Sequence, residues 1–173
     1  MGTDAPGLGT VTVVATSPGD PPPAGGRALA MVARRGCQHL IDLALSIGAG
    51  VMTGLAVGLV VVPLLRWGWV VPETLLWGPL IAFFAVTLAV ELLIHVWVPL
   101  RRGGVTPGMV VVGLRITSLR GGEPGVRDYL VRWFLLTVDG LLLGLVAAVS
   151  IMITPRRQRI GDVLARTVVV RVS

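Results

Sequence analysis

Residues 43–65, LALSIGAGVMTGLAVGLVVVPLL, contain no charged side chain. A helix of that length reaches about 35 Å at 1.5 Å per residue, more than the roughly 30 Å of a bilayer's hydrocarbon core. The rest of the chain agrees with this reading. Charged residues make up 14% of it, against about 25% in an ordinary soluble domain, while 54% is apolar and the mean hydropathy is +0.84. The fold class expected is an α-helical polytopic membrane protein. In lipid every backbone N–H and C=O must find a partner within the protein, which favours helices over irregular chain.

The first span begins near residue 33. Gly50–Gly54 and Gly54–Gly58 follow the small-xxx-small spacing that lets helices approach closely. The loop RWGWVVPET, residues 66–74, carries Trp67 and Trp69 where interfacial aromatics belong. A second span covers about residues 75–100. Residues 1–28, rich in Pro and Gly, lack the basic start and apolar core of a secretory signal. They read as a disordered cytoplasmic tail, ahead of a membrane domain at residues 29–173.

After the second span, the β-branched residues between 109 and 126 and their RGGE turn suggest a small hairpin or irregular strand pair. RTVVVRVS, at residues 166–173, reads as another short strand. If the two regions pair, they lie on one side of the membrane, so the apolar stretch 129–153 cannot cross once. Asp139-Gly140 near its middle is a turn signal. A shallow helical hairpin is therefore preferred, with a third span as the alternative. Arg27, Arg34 and Arg35 precede the first span, and Arg101, Arg102, Arg115 and Arg120 follow the second, but only Arg66 lies between. By the positive-inside rule the N-terminus of this multi-pass protein is cytoplasmic.

Several charged residues stand in or beside apolar segments. Arg35 and Asp42 are seven apart, on one helix face but about 10 Å apart along the axis. Each should meet a partner on another segment: Asp42 an arginine near Arg132 or Arg156, and Arg35 either Asp139 or Asp162. Three readings stand: a solvated helix end, a buried structural ion pair, or an ion path. Glu91 and His95, four apart, share a face of the second span. They suit structural pairing or proton and ion handling; metal binding needs more ligands than two. Asp139 reads first as part of a turn. Asp162 sits among Arg156, Arg157, Arg159 and Arg166, which should keep it ionised. Arg156, Arg157 and Arg159 also suit anionic lipid headgroups.

Some functions are disfavoured. The net charge of +6 comes from arginines that flank apolar segments, a pattern unlike a nucleic-acid-binding stripe. One cysteine, Cys37, permits no internal disulfide and no Cys-rich zinc site. The chain has no GxSxG, HExxH or P-loop, and none of its five serines adjoins a histidine. No enzymatic activity, metal or cofactor is expected.

Arg35 and Asp42, GVTPGMVVVGLRITSLRGGEPGVRDYLVRW at residues 104–133 and RRQRIGDVLARTVVV at residues 156–170 together resemble the RDD family of small bacterial membrane proteins. The resemblance makes Arg35 the family arginine, Asp42 the first aspartate and Asp162, or alternatively Asp139, the second. Where the family often has lysine after its Thr-x-Gly turn this chain has Met109, and where it often has AGT this chain has Ala165-Arg166-Thr167. The resemblance implies a transport-related role, with cation/proton antiport proposed for some members. It also implies a domain that occurs within larger membrane assemblies. The expectation is a non-enzymatic accessory or structural subunit of a transport-related complex, in contact with membrane lipids and other membrane subunits or copies of itself. The alternative is an oligomeric cation/proton antiporter with Asp42, Glu91 and His95 as carriers.

Overall fold

The computed structural model describes residues 25–119, 121, 123–139, 144–154 and 156–172. Two long helices dominate it. Helix α1 (Gly25–Arg66) and helix α2 (Thr74–Leu92) form an antiparallel pair joined by the tryptophan loop. A π-helical turn (Leu93–Trp97) and helix α3 (Val98–Arg101) extend α2, so Leu29–Arg66 and Thr74–Arg101 are both long and apolar enough to cross a membrane. The π turn has a local cause. Pro99 has no N–H to donate, and its ring crowds the carbonyl four residues earlier, which loosens the ladder just upstream.

The glycine spacing acts inside the chain. A Cβ on Gly50 would come within 2.8 Å of the Phe83 carbonyl oxygen, and one on Gly54 within 3.1 Å of the Pro79 carbonyl oxygen. The small-residue stripe of α1 therefore seats α2. Leu55, Leu59, Ile81 and Phe84, among others, point outward and are more than half exposed. So broad an apolar face is unfavourable in water and ordinary in lipid. Trp67 and Trp69 sit exposed at the tip of the pair, their rings 5.5 Å apart.

At the other end, short elements pack into a layer beneath the spans. Helix α4 (Pro107–Val112) is capped by the Thr106 hydroxyl, which accepts from the Met109 amide, and stops at Gly113 in the left-handed region. This corrects the expected strand character of residues 109–112: a threonine cap followed by Pro and Gly starts a helix, and its capping outweighs β-branched propensity. Strand β1 (Leu114–Ser118) pairs antiparallel with strand β2 (Thr167–Arg171), with Ile116 opposite Val169. Helices α5 (Val126–Asp139), α6 (Leu145–Ile153) and α7 (Ile160–Leu164) lie between the strands in sequence. Val96, Met109, Leu114, Ile116, Tyr129 and Val169 form the layer's apolar core.

Because β1 and β2 pair, the segment between them begins and ends at one end of the molecule. Helices α5 and α6 reach about 21 and 14 Å, each short of a bilayer core. Helix α1 starts at Gly25, inside the stretch assigned to the tail. Residues 1–24 and Gly140, half of the expected turn, lie outside the described residues, as does the Asp139 side chain.

Candidate functional site

The charged residues singled out in the sequence converge where α1 enters the end layer. Arg35 and Asp162 are each 2% exposed, and Arg35 Nη1 donates to Asp162 Oδ2 at 2.5 Å. Arg132, from α5, donates to the other carboxylate oxygen, Oδ1, and at 2.7 Å to the Thr167 hydroxyl at the head of β2. The Arg159 amide donates to Asp162 Oδ2 at 3.1 Å, so the same carboxylate caps the N-terminus of α7. One acid thus fastens α1, α5 and α7, and Arg132 extends the junction to the start of β2.

Burial alone pushes the Asp162 carboxyl up. The Arg132 and Arg35 charges, the Arg35 hydrogen bond and the Arg159 amide outweigh it and hold the group down at about 2. Asp162 is therefore a fixed anion. The expected ring of neighbouring arginines has a different composition. Arg132 and Arg35 supply the guanidinium contacts, whereas Arg159 contributes its backbone and turns its side chain to the Arg35 carbonyl oxygen at 3.2 Å. Of the arginines assigned to headgroups, Arg156 is exposed, and Arg157 and Arg159 are half-buried.

Asp42 is fully buried and lies in another network. Its Oδ2 accepts from Gln38 Nε2 at 2.8 Å and from the Thr106 hydroxyl at 2.7 Å, and its Oδ1 accepts from the Gly108 amide at 2.7 Å. The arginine expected opposite Asp42 is replaced by neutral donors from the first turn of α4. The α4 N-terminus supplies two hydrogen bonds and its partial positive charge, and Gln38 of α1 supplies the third. The Thr-Pro-Gly sequence explains itself here. Threonine supplies the cap and a donor, proline occupies the first helical position, and a Cβ on Gly108 would collide with the Gln38 carbonyl oxygen and lie 2.9 Å from Asp42 Oδ1.

Glu91 and His95 form the pair their spacing suggested, with Oε2 and Nδ1 3.1 Å apart. Glu91 Oε1, His95 Nε2 and the nearby His39 Nδ1 are buried without a protein hydrogen-bond partner. A cavity of about 30 Å³ lies between this pair and the other two networks, lined by Gln38, His95, Thr106, Arg132, Arg159 and Asp162 among others. That volume suits a water molecule or two. Among the described residues no group of three or more His, Cys, Asp or Glu is arranged to hold a metal ion.

Sequence reasoning assigned no family role to Arg132, Gln38 or Thr106. The signal for Arg132 was a cation flanked on both sides by the apolar residues of α5. For Thr106 it was the Thr-Pro-Gly cap, whose free amides are a natural seat for a buried acid.

A mostly helical chain with two apolar spans, clasped at one end by a buried Arg-Asp-Arg junction, defines a small membrane-type protein. The family model of the RDD family matches residues 29–166, and the chain belongs to that family, whose members are membrane proteins. Comparisons with curated proteins and with solved structures found no match for this chain.

Proposed function

We propose that this RDD-family protein acts as a small, non-enzymatic accessory or structural subunit of a transport-related complex in the bacterial plasma membrane, with its end layer in the cytoplasm. The observation that carries this reading is how the family's charged residues are used. Arg35 and Asp162 are joined with Arg132 in a buried junction, and Asp42 is enclosed by three neutral donors. Their hydrogen bonds hold the end layer against the first span, and the space beside them is the size of a water molecule or two. Such an arrangement sets a shape for other subunits to pack on and offers little room for a travelling ligand.

The test is extraction from the native membrane in mild detergent. The expected result is recovery of a second membrane protein at fixed stoichiometry, lost when the junction is opened by Arg132→Ala. Recovery of this chain alone, correctly folded, would contradict the accessory role.

The unmatched atoms of Glu91, His95 and His39 favour a second reading, in which an oligomer passes protons along this pair in exchange for cations. In that reading Asp42 serves as a carrier.

A further inference from the structure

The part of the end layer around α7 has an outer side with an unusual mixture of groups. Its inward residues Gly161 and Asp162, and Ala165 at its C-terminal end, are buried. Its outward ones are Val163 and Leu164, the latter 60% exposed, with exposed Arg156 before the helix and exposed Arg166 after it. The preceding helix ends on Met152 and Ile153, which are also exposed. Apolar side chains alternating with cations make a poor face for bulk water.

The backbone adds a second observation. Arg157 and Arg166 have φ of 52° and 51°, the left-handed region that disfavours L side chains. Glycine at Arg166 would relieve the strain, yet an exposed arginine stands there. A strained backbone position that keeps a charged side chain directs attention to what that charge does.

We propose that this edge, with Val163 and Leu164 as its apolar contact and Arg156 and Arg166 as its cations, lies in the membrane interface and binds the phosphates of anionic lipid headgroups. Charge complementarity and continuity with the lipid-facing spans support this occupant. The same chain that immerses α1 and α2 holds α7 to the base of α1 through Asp162. Apolar groups reaching the acyl boundary with arginines at headgroup level are the usual means of interfacial attachment, and the arginine fork matches a phosphate's oxygens.

The test uses the purified full-length chain in non-ionic detergent, titrated with phosphatidylglycerol and followed by its thermal unfolding midpoint. Phosphatidylglycerol should raise the midpoint; phosphatidylcholine and inorganic phosphate should not. Each arginine is expected to contribute about fivefold in apparent lipid affinity. The Arg156→Gln/Arg166→Gln pair should therefore need well over tenfold more lipid, and Arg156→Lys/Arg166→Lys should largely restore the response. An unchanged response in the glutamine pair would overturn the proposal. So would an equal rise with inorganic phosphate, which identifies a soluble-anion site, or a rise with polyglutamate alone, which identifies an acidic protein partner.

A second measurement is independent of that variant's folding. A nitroxide on Leu164→Cys, in a Cys37→Ser background within phosphatidylglycerol vesicles, should be relaxed more by oxygen than by a water-soluble nickel chelate. The opposite order would overturn the proposal. Both measurements read lipid contact alone, so their outcome is separate from whether a partner subunit copurifies.

Discussion

Arg35 and Asp162 are 127 residues apart in the chain and meet at 2.5 Å in its interior, with Arg132 on the carboxylate's other oxygen. A buried acid with two guanidinium partners is a demanding arrangement: removing the acid leaves two cations without compensation, and removing either arginine strips the carboxylate of a charged hydrogen bond. Arg35→Ala or Arg132→Ala should each destabilise the protein by about 1.5–3 kcal/mol, read from unfolding in mild detergent. Replacing Arg35 and Asp162 together with apolar residues of similar volume should cost less than the two single changes summed. Simple additivity would show that the two side chains are not coupled.

Acid should weaken the same junction. The carboxyl of Asp162 is lowered from 3.8 to about 2, so it binds protons less readily folded than unfolded. Its stabilising contribution is complete above the unfolded value and is lost as pH falls from about 4 towards 2. The shift corresponds to about 2 kcal/mol. The unfolding midpoint of the wild type should therefore drop across that window, while Asp162→Asn, less stable at neutral pH, should show a flatter acid limb. Parallel acid limbs would remove Asp162 from the account.

The Asp42 network predicts an asymmetry between its members. Thr106→Val removes a donor to the carboxylate and the cap of α4, and should cost about 1–3 kcal/mol. Gly108→Ala should cost at least as much, because its methyl group meets the Gln38 carbonyl oxygen and Asp42. In α1, Gly48→Ala meets no atom within 4 Å and should be tolerated, whereas Gly50→Ala presses on the Phe83 carbonyl oxygen and should loosen the two spans. Thermal unfolding of the four variants side by side checks the ordering.

Arg166 should be replaceable with a gain in stability. At φ 51° an arginine carries a backbone cost that glycine lacks, so Arg166→Gly should stabilise the lipid-free protein by about 1 kcal/mol. Glycine is also the residue that the family resemblance leads one to expect there. A loss of stability in detergent would mean that the side chain holds the fold in a way its exposure does not suggest.

The two spans were legible because charge-free length has one common solution in lipid, and the glycine spacing marked the face where α2 packs. The two β-branched stretches were legible as strands, and their pairing stood in the sequence as a condition for sharing a side of the membrane. Asp162 as the partner of Arg35 was one of two acids the sequence offered. The partners of Asp42 were not legible. An acid on a helix invites an arginine by Coulomb's law, whereas the hydroxyl and amide of Thr106 and Gly108 acquire their donor strength only after α4 has formed and docked. Likewise, nothing in the local sequence around Arg132 announces that it lies beside both Asp162 and Thr167. Such contacts depend on how distant segments stack, which periodicity does not encode.

The proposed role of Arg35, Asp42 and Asp162 is to fasten the end layer to the spans without carrying ions. It is tested most directly by cation-driven proton flux in sealed vesicles containing this protein alone. Flux should not exceed that of protein-free vesicles, with wild type and Asp42→Asn indistinguishable. Flux in the wild type that disappears with Asp42→Asn, in a variant that remains folded, would contradict it.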